Sequence, residues 1–299
     1  MRKILMTILF LGTILFMFGC SKTTESSSGT VSIRLTDAPL IADDVDGVWV
    51  KFKEIQVNSH GWKSVKTFAD FVAGDTVEPV NGENGIFNLL ELQNGTTAFL
   101  ASAELEAGHY SHIRILLDAN YDHHLSFDTG TDASLDTTHS GPNGNFTTGH
   151  IEIAGQFTVQ DGITTELMLD FNAHKSVVKN GGGYKLHPSI RLVTVDTTGT
   201  LTVPITGVPA DTRIVGYLYA EGTYAASEKN ADANGQMFTN AISADEPDGG
   251  SFYFGYIPEG TYTLVIVTYN TDGSLTDYEK QVTVSVTNGQ NTTADAVAY

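Results

Sequence analysis

Leu105-Glu-Ala-Gly-His-Tyr110 leads straight into Ser-His-Ile-Arg-Ile-Leu-Leu117, and Ile257-Pro-Glu-Gly-Thr-Tyr262 leads into Thr-Leu-Val-Ile-Val267. Both stretches read apolar-x-x-Gly-x-Tyr followed by a β-rich run. A turn is expected at Gly108 or Gly260, where glycine is free to adopt φ > 0. The tyrosine then packs its ring into a core and keeps its hydroxyl beside a polar partner. The run after it alternates or is wholly apolar, as in strands that face a second sheet. One such element in each half predicts an all-β chain of two tandem β-sandwiches.

Working outward, Val31, Ile33 and Leu35 alternate with polar residues, as a half-buried strand does, and Thr36-Asp37-Ala38-Pro39 predicts a turn. Asp43, Asp44 and Asp46 resemble a calcium loop, but Ala42 stands where the first oxygen ligand belongs, so they read as solvated turn residues. Residues 48–57 and 62–68 predict a hairpin around Asn58-Ser-His-Gly61. Val48, Val50 and Phe52 share one parity and Ile55 and Val57 the other, so a bulge is expected near Lys53-Glu54. Residues 86–92 carry Phe87 and Leu90 at helical spacing, and residues 97–105 read as a short turn. Residues 118–149 lack periodicity and are expected to be irregular. Ile151, Ile153, Phe157 and Val159 form a strand, and Asp161-Gly162 predicts a hairpin to a partner with Leu167, Leu169 and Phe171 inward. Residues 184–195 close the first sandwich. In the second, residues 201–205, 213–219 and 281–286 read as strands.

The N-terminus has different physics. Arg2 and Lys3 precede an apolar run that ends abruptly at Gly19-Cys20, too short at its centre for a comfortable spanning helix. Its end resembles a bacterial lipobox, which implies lipidation of Cys20. Cys20 is the single cysteine, so an exported chain has no disulfide and its one thiol sits where a lipid would go. The resemblance, with Ser21 rather than Asp after the cysteine, implies an outer-membrane destination. The expected organisation is a signal peptide over residues 1–20, a polar Ser/Thr-rich tether over 21–29, and sandwiches over 30–196 and 197–299.

Four pieces occur in order in the first sandwich: Ser32-Ile-Arg-Leu-Thr-Asp-Ala-Pro39, Leu105-Glu-Ala-Gly-His-Tyr-Ser-His-Ile-Arg-Ile115, Leu169-Asp-Phe-Asn-Ala-His-Lys-Ser-Val177 and Tyr184-Lys-Leu-His-Pro-Ser-Ile-Arg191. Together they resemble the DUF4382 family of bacterial and archaeal lipoproteins. The family pattern has Asp at the place of Asn172 and Lys at that of His187. The resemblance implies a fold and an envelope setting, and no mechanism. In the second sandwich, Asp248-Gly-Gly-Ser-Phe-Tyr-Phe254 followed by Ile257-Pro-Glu-Gly-Thr-Tyr-Thr-Leu264 resembles carboxypeptidase-regulatory-like, transthyretin-like sandwiches, which are grouped with starch-binding-like folds.

The chain carries 16 basic and 35 acidic residues. Without residues 1–19, which contain Arg2 and Lys3, 14 oppose 35, a net charge of −21. Phosphate binding needs a basic face, so nucleic acid is excluded as a partner. A hydrophobic content of 41% is ample for two cores.

No Gly-x-Ser-x-Gly, His-Glu-x-x-His or phosphate loop is present, so a non-catalytic chain is expected. Six of the nine histidines lie between residues 109 and 150, among several aspartates. Imidazole with carboxylate suits zinc, and carboxylates alone suit calcium. The candidate divalent-cation ligands are His112, Asp118, Asp122, His123, His124, His139 and His150, weighed against a solvated loop, since adjacent His123 and His124 would point to opposite faces of a strand. Trp62, Tyr121 and Phe127 are candidate ligand-stacking residues, and Tyr217, Tyr219 and Tyr224 a further aromatic group. The expected function is a cell-envelope lipoprotein, anchored to the membrane by its lipid, presenting two sandwiches to a ligand or an envelope protein. The alternatives are a carbohydrate-binding module for surface polysaccharide and a metal-dependent hydrolase using the His/Asp-rich stretch.

Overall fold

The computed structural model describes residues 27–38, 45–69, 83–140, 146–148, 150–210, 212–232, 235–270 and 272–299. Cys20, the rest of the lipobox, Asp43, Asp44 and the side chain of His139 lie outside the described residues. The first sandwich contains β1 (Ser28–Ala38), β2 (Val45–Asn58), β3 (Trp62–Thr67), β4 (Ile86–Asn88), β5 (Ala98–Glu106), β6 (Gly108–Leu117), β7 (His124–Phe127), β8 (Asp132–Asp136), β9 (Thr138–Ser140), β10 (Phe146–Thr148), β11 (His150–Val159), β12 (Thr164–Asn172), β13 (Val177–Asn180), β14 (Gly183–Leu186) and β15 (Ile190–Thr194). One sheet runs β15-β12-β1-β5; the other runs β11-β6-β2-β7-β8-β14-β13, with β3 and β4 also on β2.

Alternation fills the space between them. Val31, Ile33 and Leu35 of β1 and Leu167, Leu169 and Phe171 of β12 meet Val48, Val50, Phe52, Ile55 and Val57 of β2 and Ile113 and Ile115 of β6. Each such side chain contributes about 1.5–3 kcal/mol on burial. The parity change along β2 is absorbed by a bulge between Phe52 and Glu54 in its pairing with β6.

The second sandwich contains β16 (Thr198–Thr206), β17 (Arg213–Ala220), β18 (Ser243–Asp245), β19 (Ser251–Pro258), β20 (Gly260–Tyr269), β21 (Leu275–Val286), β22 (Asn291–Thr293) and β23 (Val297–Ala298). The sheet β19-β16-β22, with β23 also on β16, packs on β18-β17-β20-β21. Leu201, Val203, Phe252 and Phe254 meet Ile214, Leu218, Leu264 and Ile266 between the sheets. The outer face of β17 and β20 is buried too: Val215, Tyr217, Tyr219, Val265 and Val267 lie under Phe238 and Ala241 from the segment between β17 and β18. A 3₁₀ turn, Val195–Thr197, joins the two sandwiches, and no apolar cluster described here contains residues of both.

Both Gly-x-Tyr elements sit where the chain crosses from one sheet to the other, at β5–β6 and at β19–β20. Tyr110 donates its hydroxyl to the Glu106 carbonyl at 3.0 Å and stacks on Phe157. Tyr262 donates to the Pro258 carbonyl at 2.6 Å. Both rings are buried, the geometry of a tyrosine corner. Gly108 has φ +154°, but Gly260 is not among the positive-φ glycines. A Cβ at Gly260 would stand 3.4 Å from the Tyr262 hydroxyl, an ordinary van der Waals contact, so neither φ nor space demands glycine there.

Several local expectations differ from the structure, beginning with β1, which runs on as a paired strand through Thr36, Asp37 and Ala38. β11 and β12 are not a hairpin: β11 pairs with β6 in the large sheet, while β12 pairs parallel with β1 in the other. Parallel pairing with β1 wins because it sets three apolar side chains of each strand on the same core face. Residues 86–92 are a short strand followed by a 3₁₀ turn, and residues 98–106 are an edge strand. The stretch after Asp118 holds the short strands β7 to β10, whose three to five residues are too few to show a period.

Candidate functional site

The motif pieces quoted above from β1, β12 and β15 meet at one end of the first sandwich. Asp37, near the end of β1, accepts the Ala173 N–H through Oδ1 at 2.9 Å. Asn172 caps the one-turn helix α1 (Ala173–Ser176), its Oδ1 accepting the Lys175 N–H at 3.0 Å. Asp and Asn are equivalent caps, so Asn172 fits a place where the family pattern has Asp. The Ser176 hydroxyl donates to the Asn172 carbonyl and accepts the Ser189 N–H. Arg191 holds Asp170 through Nε and Nη2. His187 is exposed, so the departure there alters a surface residue.

The second sandwich covers this end. Gln236 Nε2 donates to the carbonyls of His174 at 3.1 Å and Lys175 at 3.0 Å. The His174 ring lies 6.0 Å from that of Tyr217, and burial pushes its imidazole down to about 4, against a hydrogen bond with the Met237 backbone. Burial also lowers Lys175, with Glu228 opposing. Gly95, at φ +80°, approaches Tyr253 so closely that a Cβ would stand 2.6 Å from its hydroxyl.

Between the sandwiches lies a polar cavity of about 20 Å³, lined by Asp37, Asp170, Ser243, Asp245, Tyr253 and Tyr256 among others. Asp245 is 1% exposed; its Oδ2 accepts the Tyr253 N–H at 2.6 Å, and its Oδ1 has no hydrogen-bond partner. Burial pushes its carboxyl up to about 7, with the Tyr253 and Glu246 N–H groups pulling the other way. Tyr256 adopts φ 54°, a backbone state that non-glycine residues rarely hold.

The His/Asp-rich stretch is dispersed. Asp118 is buried and pairs with Lys51 at 3.4 Å, while Lys51 Nζ also donates to the carbonyls of Ala69 and Asn84. His123 is buried with both ring nitrogens engaged: Nδ1 accepts the Lys51 N–H and Nε2 donates to the Asp118 carbonyl. Burial keeps its imidazole below the ordinary range. His124 donates from Nδ1 to the Asp122 carbonyl, and the Asp122 side chain is exposed. His112 lies on the outer face of β6 beside Ser111, and His150 lies on β11 opposite Leu116. Among the described residues no three His, Cys, Asp or Glu side chains gather to hold a metal ion. The described members stand at separate places in the fold.

Nor do the stacking candidates form one platform. Trp62 carries the Arg114 guanidinium 3.7 Å over its ring, and Arg114 pairs with Glu152. Phe127 packs on Tyr184. Tyr121 lies beside His123 and His124, and burial together with Asp122 and Asp132 pushes its hydroxyl up to about 12. Tyr217 and Tyr219 are core residues bonded to Tyr269 and Glu228, with Tyr224 packed on Tyr219. Sequence reasoning missed Trp49, which stacks on His124 at 6.2 Å, and also Lys51, Gln236 and Asp245. None lies in a motif.

Comparison with solved structures finds the Bacillus anthracis TIE protein at 13% identity and a TM-score of 0.22, covering 91% of this chain and 34% of that one. A leucine-rich repeat protein from Bacteroides thetaiotaomicron matches at 13% identity and 0.19, covering 92% of this chain and 26% of that one. GBS52, the minor pilin of Streptococcus agalactiae, matches at 11% identity and 0.23, covering 89% and 94%. The chain thus spans about a third and a quarter of the first two. No curated protein matches the sequence. Residues 28–188, more than half of the chain, match the family described as domain of unknown function DUF4382. With its four motif pieces folded into one sandwich and three of them joined at its covered end, the chain belongs to the DUF4382 family.

Proposed function

We propose that this is a non-catalytic cell-envelope lipoprotein in which two docked sandwiches are held near a membrane to bind a ligand or support an envelope assembly. The observation that carries this is Gly19-Cys20, the single cysteine of the chain, placed directly after a basic and then apolar start. No helix among the described residues is long and apolar enough to cross a membrane. The outer membrane is the destination proposed, and the second sandwich is read as carboxypeptidase-regulatory-like. Fractionation of cells expressing wild type and Cys20→Ser tests the anchor: the wild type is expected in the membrane fraction and the variant unprocessed or released.

A glycan as the ligand is favoured by one specific observation. Trp49, His124 and Tyr121 form a half-buried aromatic group on the large sheet, with Trp49 Nε1 donating to Ser126 Oγ at 3.1 Å. Aromatic faces beside hydroxyls suit sugar rings. Glycan-array binding that is lost in Trp49→Ala supports this role, and binding unchanged in that variant removes it.

A further inference from the structure

One part of the large sheet reverses the charge balance of the chain, which has 16 basic and 35 acidic residues. On β3, β6, β11 and the second half of β2, Lys53, Lys63, Lys66 and Arg114 stand against Glu54 and Glu152, with His109, His112 and His150 besides. Register sets several of these side chains on one plane. Val57, Ile113 and Ile153 point into the core, so the residues on either side of each point outward. Trp62, Asn58 and His112 then face one another across three strands, and Ser64, Gln56, Arg114 and Glu152 across four. At about 4.8 Å between strands this plane is about 14 Å wide, enough for a short run of sugar rings. At its centre the Arg114 guanidinium lies 3.7 Å over the Trp62 ring, and the His112 ring meets Trp62 edge-on at 6.5 Å. Arg114 Nη2 donates to Glu152 at 3.0 Å, and the guanidinium has further N–H donors for a second carboxylate. Lys63, Ser64 and Lys66 are exposed along the β3 side.

We propose that this outer face binds an acidic polysaccharide, with a sugar ring packed on Trp62, hydroxyls met by Gln56, Asn58 and Ser64, and carboxylates met by Arg114, Lys63 and Lys66. Charge complementarity carries the choice of an anionic polymer: a basic face on a strongly acidic chain attracts anions at that face alone. The indole and the amides carry the choice of sugar. An indole offers an apolar plane with a polar edge, and amides both donate to and accept from hydroxyls. Stacking on Trp62 holds the guanidinium in place before a ligand arrives. The face shares no residue with the Trp49, His124 and Tyr121 group, which lies on the first half of β2 and on the chain around β7. It therefore stands whether or not that group binds a glycan.

The test is calorimetric titration of the purified full chain with trigalacturonate, with galactotriose as its uncharged counterpart, and with glycerol phosphate as the soluble headgroup of an anionic lipid. Trigalacturonate is expected to bind, galactotriose to bind at least tenfold more weakly, and added salt to weaken the first and spare the second. Trp62→Ala and Arg114→Gln are each expected to weaken trigalacturonate tenfold or more, and Trp49→Ala to leave it unchanged. Should either of the first two variants fail to fold, the exposed pair Lys63→Glu with Lys66→Glu is expected to weaken binding several-fold at an unchanged melting temperature. Four results would overturn the proposal: no binding of trigalacturonate up to about 10 mM, equal binding of galactotriose, glycerol phosphate binding as tightly, or trigalacturonate binding undiminished in the variants of this face.

Discussion

Tyr110 and Tyr262 make the same hydrogen bond, each hydroxyl donating to the carbonyl four residues upstream, Glu106 at 3.0 Å and Pro258 at 2.6 Å. Each pins the strand that leaves one sheet to the strand that enters the other. Truncation to Ala removes buried ring surface and leaves a cavity, about 3–5 kcal/mol. Tyr→Phe removes the hydrogen bond alone, about 1 kcal/mol. Hydrogen exchange should show Tyr110→Ala loosening β5 and β6 and Tyr262→Ala loosening β19 and β20, each leaving the other corner protected.

Lys51 and Asp118 form an ion pair with both side chains 1% exposed. Removing one partner leaves a buried charge, so Lys51→Met or Asp118→Asn is expected to lower stability by about 3–5 kcal/mol. Replacing both with apolar residues should recover much of the loss. Denaturant melts of the two single variants and the double variant measure this, and additive losses in the double variant would show that the two groups act independently.

Gln236 clamps two carbonyls of α1, and Gly95 lets Tyr253 approach. Gln236→Ala is expected to cost about 1–3 kcal/mol of docking. Gly95→Ala adds backbone strain of about 1–3 kcal/mol and a clash. Small-angle scattering should show a larger radius of gyration for Gly95→Ala, with faster proteolysis near residues 195–197.

His174 gives the joint an acid-side weakness. Its folded pKa is about 4, below the ordinary 6.5. The unfolded chain therefore takes up a proton first as pH falls through 6.5, and the stability this site supports is lost progressively between pH 6.5 and about 4. A shift of this size corresponds to roughly 3 kcal/mol. The stability difference between wild type and His174→Leu should narrow or invert across that window and stay flat above pH 7. A difference independent of pH would show that His174 titrates alike in the folded and unfolded chain, contradicting the lowered pKa.

The two sandwiches were legible because alternation and the Gly-x-Tyr corners are local patterns. Val31, Ile33 and Leu35, or Leu167, Leu169 and Phe171, announce a buried face without knowledge of their partners. Pairing was not legible: Asp161-Gly162 looks the same whether β12 turns back on β11 or crosses to lie beside β1. The joint was legible only in part. The family-like pieces named Asp37, Asn172, Ser176 and Arg191, but not that they meet. Gln236 and Asp245 come from loops and a three-residue strand with no period, and only the tertiary fold gives them neighbours. For His123 and Asp118 the side-chain type was visible in the sequence, while their burial and their partner Lys51 were not.

Lipidation at Cys20 is read from the intact mass of the chain purified from the membrane fraction. A mature protein is expected that begins at Cys20 and exceeds its peptide mass by a diacylglyceryl group, with this addition absent in Cys20→Ser. A mature chain of unmodified mass, or one that begins elsewhere and partitions without detergent, would contradict it.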